Sequence, residues 1–281
     1  LGKYFFMLQF QLTPQQIEAY HKDGYLIAKN FLSQPEVDKL YSIATGDDTL
    51  QKHAFDLNDQ SGKKTKLTLW YTPGNDAYGL LTKSKRMVDN ANLLLDGEAP
   101  VCHFHSKLMQ KEPRVGGAWE WHQDYGYWYK NEFLLPGQMI SIMAAITGAN
   151  KQNGCLQVIR GSHKMGRIEH GFAGEQVGAS QHYVDLALKT MPLVYVEINA
   201  GDALFFHPNT LHRSEANLSD KPRWSVISVS NSSSNVPYNE PSQSSIVPLQ
   251  VVPDEALMEW KTEGIDANAH FLEKEKDEAL K

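Results

Sequence analysis

The chain has 281 residues, a formal net charge of −6 at pH 7, and 41% hydrophobic and 21% charged residues. That length allows one large domain or two small ones, and is enough for a core and an internal pocket. The mild acidic balance leaves no basic footprint for nucleic acid, and no apolar stretch is long enough for a membrane-spanning helix.

The start, Leu1 to Leu8, lacks an initiating Met and is too short and aromatic for a signal peptide. Thr13-Pro14-Gln15-Gln16 opens a helix, with Thr13 as N-cap, Pro14 in the first turn and Gln16 three residues on. It should run to about Lys22 and stop at Gly24. Tyr25 to Ala28 reads as a short strand. Ser33 to Thr45 is a second helix, with Val37, Leu40, Tyr41 and Ala44 at helical spacing. Residues 47–76 are polar and read as an irregular lid or surface loop, and 80–95 as a helix.

From Cys102 the pattern changes to short strands, at 102–110, 118–124, 138–147, 155–159, 193–198, 203–207, 211–216 and 223–231. The long stretch 161–190, rich in Gly and His, is expected to be a functional loop. Residues 232–245 read as loop, a last helix begins near Pro253, and the mixed run Glu273 to Glu278 reads as a solvated helix. No internal repeat is present. The fold class is therefore an all-β core with flanking helices, a barrel or jelly roll. The expected organisation is a single domain: a helical part over 13–98, a core over 101–231 and an extension over 232–281. Cys102 and Cys155 form no disulfide framework, which favours a reducing, cytoplasmic setting. Nothing in the sequence sets an oligomeric state.

The chemistry is concentrated in Trp121-His122-Gln123-Asp124 and in Gly201-Asp202 through His212. In a strand, His122 and Asp124 share a face. With a later His, either His207 or His212, they make the two-His, one-carboxylate set of non-haem Fe(II) oxygenases. Alternation puts His103, His105, Lys107 and Met109 on one face of the first core strand, with Phe104, Ser106 and Leu108 on the other. Two His and a Lys suit a polar cavity that binds an anion. Arg223 and Ser225 share a face of the last strand, and a buried Arg needs an anionic partner. Tyr125, Tyr127, Trp128 and Tyr129 form a candidate aromatic wall. Arg160, Lys164, Arg167 and His170 crowd one loop and would attract an anionic substrate.

Over residues 13 to 231 the chain resembles the phytanoyl-CoA dioxygenase (PhyH) family of Fe(II)/2-oxoglutarate-dependent oxygenases, which includes the ectoine hydroxylases. The matching pieces are Trp121-His122-Gln123-Asp124, the run Asn153 to Lys164, Gly201-Asp202 through His212, Arg223, and the Asp23-Gly24-Tyr25 turn. The resemblance implies a double-stranded β-helix (cupin-like jelly roll). It also implies Fe(II) on His122, Asp124 and His212, since the family's Arg follows its distal His by eleven residues, as Arg223 follows His212. Arg223 would hold 2-oxoglutarate, with His105, Lys107, Ser214 and Ser225 beside it, and O2 would be the oxidant. A small-molecule substrate, anionic by the reading above, would meet Arg160, Tyr127, Trp128 and Lys164 and be hydroxylated, with release of succinate and CO2. Two departures count. Arg160 stands where the family usually has Pro, which puts a family member's substrate in doubt. Asp124 is present, which disfavours the halogenase variant. The alternatives are a non-catalytic metal- and 2-oxoglutarate-binding protein, a dioxygenase of acyl-CoA, or a cupin-like metalloenzyme that would not need Arg223.

Overall fold

A computed structural model describes residues 10–95, 99–239, 245–261 and 264–273. The expected Glu273–Glu278 helix lies almost wholly outside them, as do Leu1 to Leu8. The chain begins α1 (Pro14–Asp23), β1 (Tyr25–Ala28), α2 (Gln34–Gly46), α3 (Asp48–Lys52), β2 (Phe55–Asn58), β3 (Lys64–Trp70), α4 (Ala77–Lys83) and α5 (Lys85–Leu94). The next elements are β4 (Val101–Lys111), β5 (Trp119–His122), α6 (Asp124–Trp128), β6 (Met139–Ala145), β7 (Leu156–Ile159), β8 (His170–Ala173) and β9 (Gln176–Ala179). Last come α7 (Gln181–Thr190), β10 (Leu193–Val196), β11 (Ala203–Phe206), β12 (His212–Ser214), β13 (Arg223–Ser232) and α8 (Ala256–Glu259).

The local signals act as read. Thr13 and Gln16 close a reciprocal capping box, and Gly24 ends α1 at φ 82°. A side chain there would be strained by that φ, and its Cβ would lie 2.4 Å from His163 Nδ1. In α2, Ser33 and Glu36 form a second capping box. Glu36 also pairs with Arg86 of α5 at 2.7 Å, both groups buried, so the cap joins two helices.

Seven strands form one antiparallel sheet in the order β1-β11-β6-β13-β4-β3-β2, and four form a facing sheet, β10-β7-β12-β5. This is the double-stranded β-helix, a jelly roll with helices packed on the large sheet. Alternation on β13 separates two cores. Trp224 and Val226 join Leu40, Tyr78 and Met87 on the helix side. Ile227 and Val229 join Met143, Val158 and Phe206 between the sheets. Burial of these side chains at about 25 cal/mol per Å² is the main term holding the layers together.

Three expectations need correction. Residues 47–76 are not an irregular loop: β2 and β3 form a hairpin that extends the large sheet, β3 pairing with β4. The stretch 161–190 contains the β8–β9 hairpin and the ten-residue α7. The third concerns β4. Its ladder with β13 skips one residue, since Val229 pairs with His105 and Ser230 with His103. Phe104 is therefore the extra residue of a β-bulge. It turns inward beside His105, ring centroids 4.7 Å apart. His103 turns to the helix side, bonded to Tyr71 O at 3.1 Å and Ser106 Oγ at 2.9 Å. So His103 does not share the face of His105 and Lys107.

Candidate active site

The small sheet brings the first constellation together. His212 of β12 is the direct cross-strand partner of His122 of β5, and the two rings lie 4.0 Å apart. β5 ends at His122, however, so Asp124 does not reach the site by strand alternation. It is the first residue of α6, carried round by the turn at Gln123. Its Oδ1 lies 3.7 Å from His122 Nε2 and 3.9 Å from His212 Nε2. One ligand atom from each residue falls within 4.8 Å of the others.

That turn is held from several sides. Gln123 is fully buried, and its Nε2 donates to Gly166 O and Asn209 O. Its Oε1 accepts from Ile168 N, and its own N–H donates to His170 Nε2 at 2.9 Å. His170 lies so close to α6 that a Cβ at Gly126 would come within 2.3 Å of its Nε2. His170 is thus a buttress of the turn rather than part of an anion-binding loop. The Asp23-Gly24-Tyr25 turn plays the same part for His212. Gly24 O accepts from His207 N and from Thr210 Oγ1, fixing the turn before β12. His207 itself points away, accepting from Asn209 N and packing on His163.

Protonation states are settled by these bonds. His122 Nδ1 donates to Glu120 O at 2.7 Å and His212 Nδ1 to Thr210 O at 2.9 Å. Each Nε2 is left with a lone pair facing Asp124. Burial pushes both imidazoles below their usual range, against the pull of the Asp124 charge at His212, and His122 lies well below it. Neutral imidazole is the form that binds a metal. For Asp124, burial alone would raise the carboxyl. The Lys107 charge and a 2.7 Å hydrogen bond from Ser141 Oγ pull it below the usual range. A pair of neutral imidazoles and an ionised carboxylate therefore converge on one point.

A cavity of about 310 Å³ opens at the triad. His105, Lys107, Tyr127 and Trp128 line it, with Phe104, Trp119 and Phe133. Its far wall is the face of the β2–β3 hairpin, Phe55, Leu57, Leu67 and Leu69. Leu67 and Leu69 alternate in the sequence, a period-two signal that would have revealed this wall. Arg160 and Lys164 are exposed and are not among the lining residues, so the structure does not bring them to the triad. Arg167 is also exposed and stacks on Tyr129, 4.4 Å from the ring.

Arg223 and Ser225 are buried on the inner face of β13 and do not line this open cavity. Ser214 is buried two residues beyond His212 on β12. Arg223 Nη1 donates to Gly154 O at 3.1 Å, while its Nε and the Ser225 Oγ have no hydrogen-bond partner. Burial lowers the guanidinium to about 10. Lys111, its cross-strand neighbour, is also fully buried, and burial and the Arg223 charge push its ammonium well down. Unspent donors on a buried cation fit a carboxylate that arrives with a ligand. The sequence reading missed Lys111 and Ser141.

A family profile, phytanoyl-CoA dioxygenase (PhyH), matches residues 20–225. The L-proline trans-4-hydroxylase of Streptomyces griseoviridis is 27% identical over 233 residues, covering 78% of this chain and 86% of that protein. The ectoine dioxygenase of Bordetella parapertussis is 24% identical, covering 80% of this chain and 77% of its own length. Among solved structures, EctD from S. alaskensis with 2-oxoglutarate and 5-hydroxyectoine superposes with a TM-score of 0.67 at 20% identity, covering 86% of this chain and 88% of EctD.

Proposed function

The chain belongs to the phytanoyl-CoA dioxygenase family, and from that premise we propose which residues carry out its chemistry and on what class of substrate. It is an Fe(II)- and 2-oxoglutarate-dependent dioxygenase acting on a small molecule. When bound, iron and 2-oxoglutarate supply the oxidising power: the substrate C–H, 2-oxoglutarate and O2 give the hydroxylated product, succinate and CO2.

The protein's own groups do the rest. His122, Asp124 and His212 would hold the iron, and the observation that carries this is their convergence with both Nε2 atoms and Oδ1 turned inward. Ser141 keeps Asp124 oriented through Oδ2. Arg223, with Ser225 and Ser214 near it, would take the far carboxylate of 2-oxoglutarate; its unpaired Nε and the free Ser225 hydroxyl support this. Met109 and Leu67 belong to the core between the sheets and help keep water from that region. The open cavity would take the primary substrate, packed against Tyr127 and Trp128. Its volume is at the low end of the roughly 300–1,000 Å³ usual for small-molecule sites, which favours a compact metabolite over a whole acyl-CoA. No helix among the described residues is long and apolar enough to cross a membrane. Two buried, unpaired cysteines accord with a cytoplasmic setting.

Iron content after anaerobic loading tests the ligand set. Asp124→Ala and His212→Ala should each lose bound iron and 2-oxoglutarate-dependent succinate formation while keeping the circular dichroism of the parent. His207→Ala should retain both. Iron retained in His212→Ala and lost in His207→Ala would reverse the assignment.

A further inference from the structure

Two polar groups on the cavity wall are not used by the chemistry above. Lys107 Nζ lies 4.0 Å from Asp124 Oδ1 and 6.0 Å from the centre of the Trp119 ring. His105, two residues along on the same face, has a buried Nε2 with no hydrogen-bond partner. We propose that Lys107 and His105 anchor a carboxylate of the primary substrate, so that this enzyme oxidises a small organic acid close to its charged end. The proposal rests on the iron and 2-oxoglutarate reading of the same cavity and names its substrate class.

Position separates these two groups from the end of the co-substrate that Arg223 would hold. On the inner face of the large sheet, Arg223 pairs across the ladder with Lys111, Ile227 with Lys107, and Val229 with His105. Arg223 and Ile227 are four residues apart on one strand, which is about 13 Å. The carboxylate site at Arg223 and the pair Lys107–His105 therefore occupy different levels of one wall. The latter lies in the open cavity beside Tyr127 and Trp128.

Charge makes the same point. Asp124 is the sole acid among the described lining residues, and its Oδ1 lies 4.0 Å from Lys107 Nζ. Asp124 is among the residues that would hold the iron, and its charge would then be engaged by the metal. Among the described residues Lys107 is then left without a counterion in an aromatic-lined cavity, a costly arrangement unless an anion enters with the substrate. His105 is held neutral by burial and by Lys107, so it offers a hydrogen bond rather than a second charge. Phe55, Leu57, Leu69 and Phe133 give the cavity an apolar side that suits a hydrocarbon body, while Tyr71, Asn131, Asn239 and Ser245 line it elsewhere. The closeness of Lys107 to Asp124 places the oxidised C–H within a few bonds of the carboxylate.

Matched ligands test this without turnover. Iron-loaded protein with 2-oxoglutarate, kept free of oxygen, is titrated with 3-phenylpropanoate, cyclohexanecarboxylate and hexanoate, and with their primary amides. Quenching of fluorescence from Trp119 and Trp128, which line the cavity, reports binding. The acids should bind at least about tenfold tighter than the amides, the equivalent of 1.4 kcal/mol. Lys107→Met should abolish that preference, and Lys107→Arg should restore most of it. Calorimetric titration of 2-oxoglutarate is run on each variant. Equal binding of acids and amides by the parent protein, or no binding of any acid in the series, overturns the proposal. So does a Lys107→Met variant that keeps the acid preference but loses 2-oxoglutarate. A parent protein that takes up neither iron nor 2-oxoglutarate fails at the earlier reading instead.

Discussion

The two walls of the cavity treat their polar atoms in opposite ways. On the small-sheet side, each triad imidazole spends its Nδ1 on its own backbone, and Gln123 spends both ends of its amide on neighbouring loops. On the large-sheet side, Arg223 Nε, Ser225 Oγ and His105 Nε2 are buried with nothing to bond. The first wall is finished before any ligand arrives, as a metal site must be if its geometry is to select the ion. The second is completed by what binds. Orphaned groups there raise the free energy of the empty protein and favour carboxylates that satisfy them.

Acid should act on both sides, through His170 and His207 around the triad turns and His103 behind the large sheet, and this is the largest effect expected. His103, His170 and His207 are each lowered by burial to about 4. In His170 and His207 one ring nitrogen, Nε2 and Nδ1 respectively, accepts from a backbone N–H and cannot carry a proton while that bond lasts; in His103, Nδ1 donates to Tyr71 O and Nε2 meets the Ser106 hydroxyl. In the unfolded chain they titrate near 6.5. Below that pH the unfolded state binds more protons, so stability is full above about 6.5 and falls as pH drops towards 4. A loss on the order of several kcal/mol is expected between pH 7 and 4.5, measured by urea unfolding of the iron-free protein. A flat profile would mean these rings are not held neutral.

Arg223 should break the unfinished side. Arg223→Ala should weaken 2-oxoglutarate by roughly 2–5 kcal/mol, and Arg223→Lys should not restore it, because Lys lacks the planar fork. The comparison adds a sharper outcome. Arg223→Met removes a buried, half-bonded cation, so the iron-free protein should melt no lower than the parent while losing its thermal shift with 2-oxoglutarate. A Tm drop of many degrees would show that the guanidinium is satisfied in the empty protein.

Ser141 is the exception that sharpens the contrast, since a large-sheet residue finishes the triad. Ser141→Ala should reduce iron affinity by about tenfold, the usual cost of losing such a partner, with little change in 2-oxoglutarate affinity at saturating metal. Metal titration followed by co-substrate titration separates the two. The smallest effect is expected at Arg160 and Lys164, which the sequence had placed at the substrate. Both are exposed and apart from the cavity. Arg160→Ala and Lys164→Ala should leave stability within about 0.5 kcal/mol and substrate kinetics unchanged.

What could be read beforehand follows the range of the forces involved. The caps at Thr13 and Ser33 are local and were readable, as were the core strands, whose apolar alternation is strong. The triad was found although its strand premise failed at Asp124, because spacing in a motif survives a change from strand to turn. The β2–β3 hairpin was missed because Lys64 and Lys66 are polar on one face and Thr65 interrupts the apolar run on the face of Leu67 and Leu69. The bulge at Phe104 leaves no mark in residue type. It is set by the register of two strands more than a hundred residues apart in sequence. The loop cations misled because charge density in sequence says nothing about which side of a sheet a loop lies on.

The bulge also bears on how such a cavity changes over time. Phe104 is one residue inserted between helix-side His103 and inward-facing His105, and pairing on either side of it is intact: His103 still meets Ser230 and His105 still meets Val229. Its ring packs edge-on against Trp128 and Phe133. A single codon lost there would close the ladder and enlarge the chamber beside Trp128 while leaving the triad and the Arg223 end untouched. Length variation at this one point can therefore resize the substrate chamber independently of the iron centre, a result that no point substitution at a pleated position reproduces.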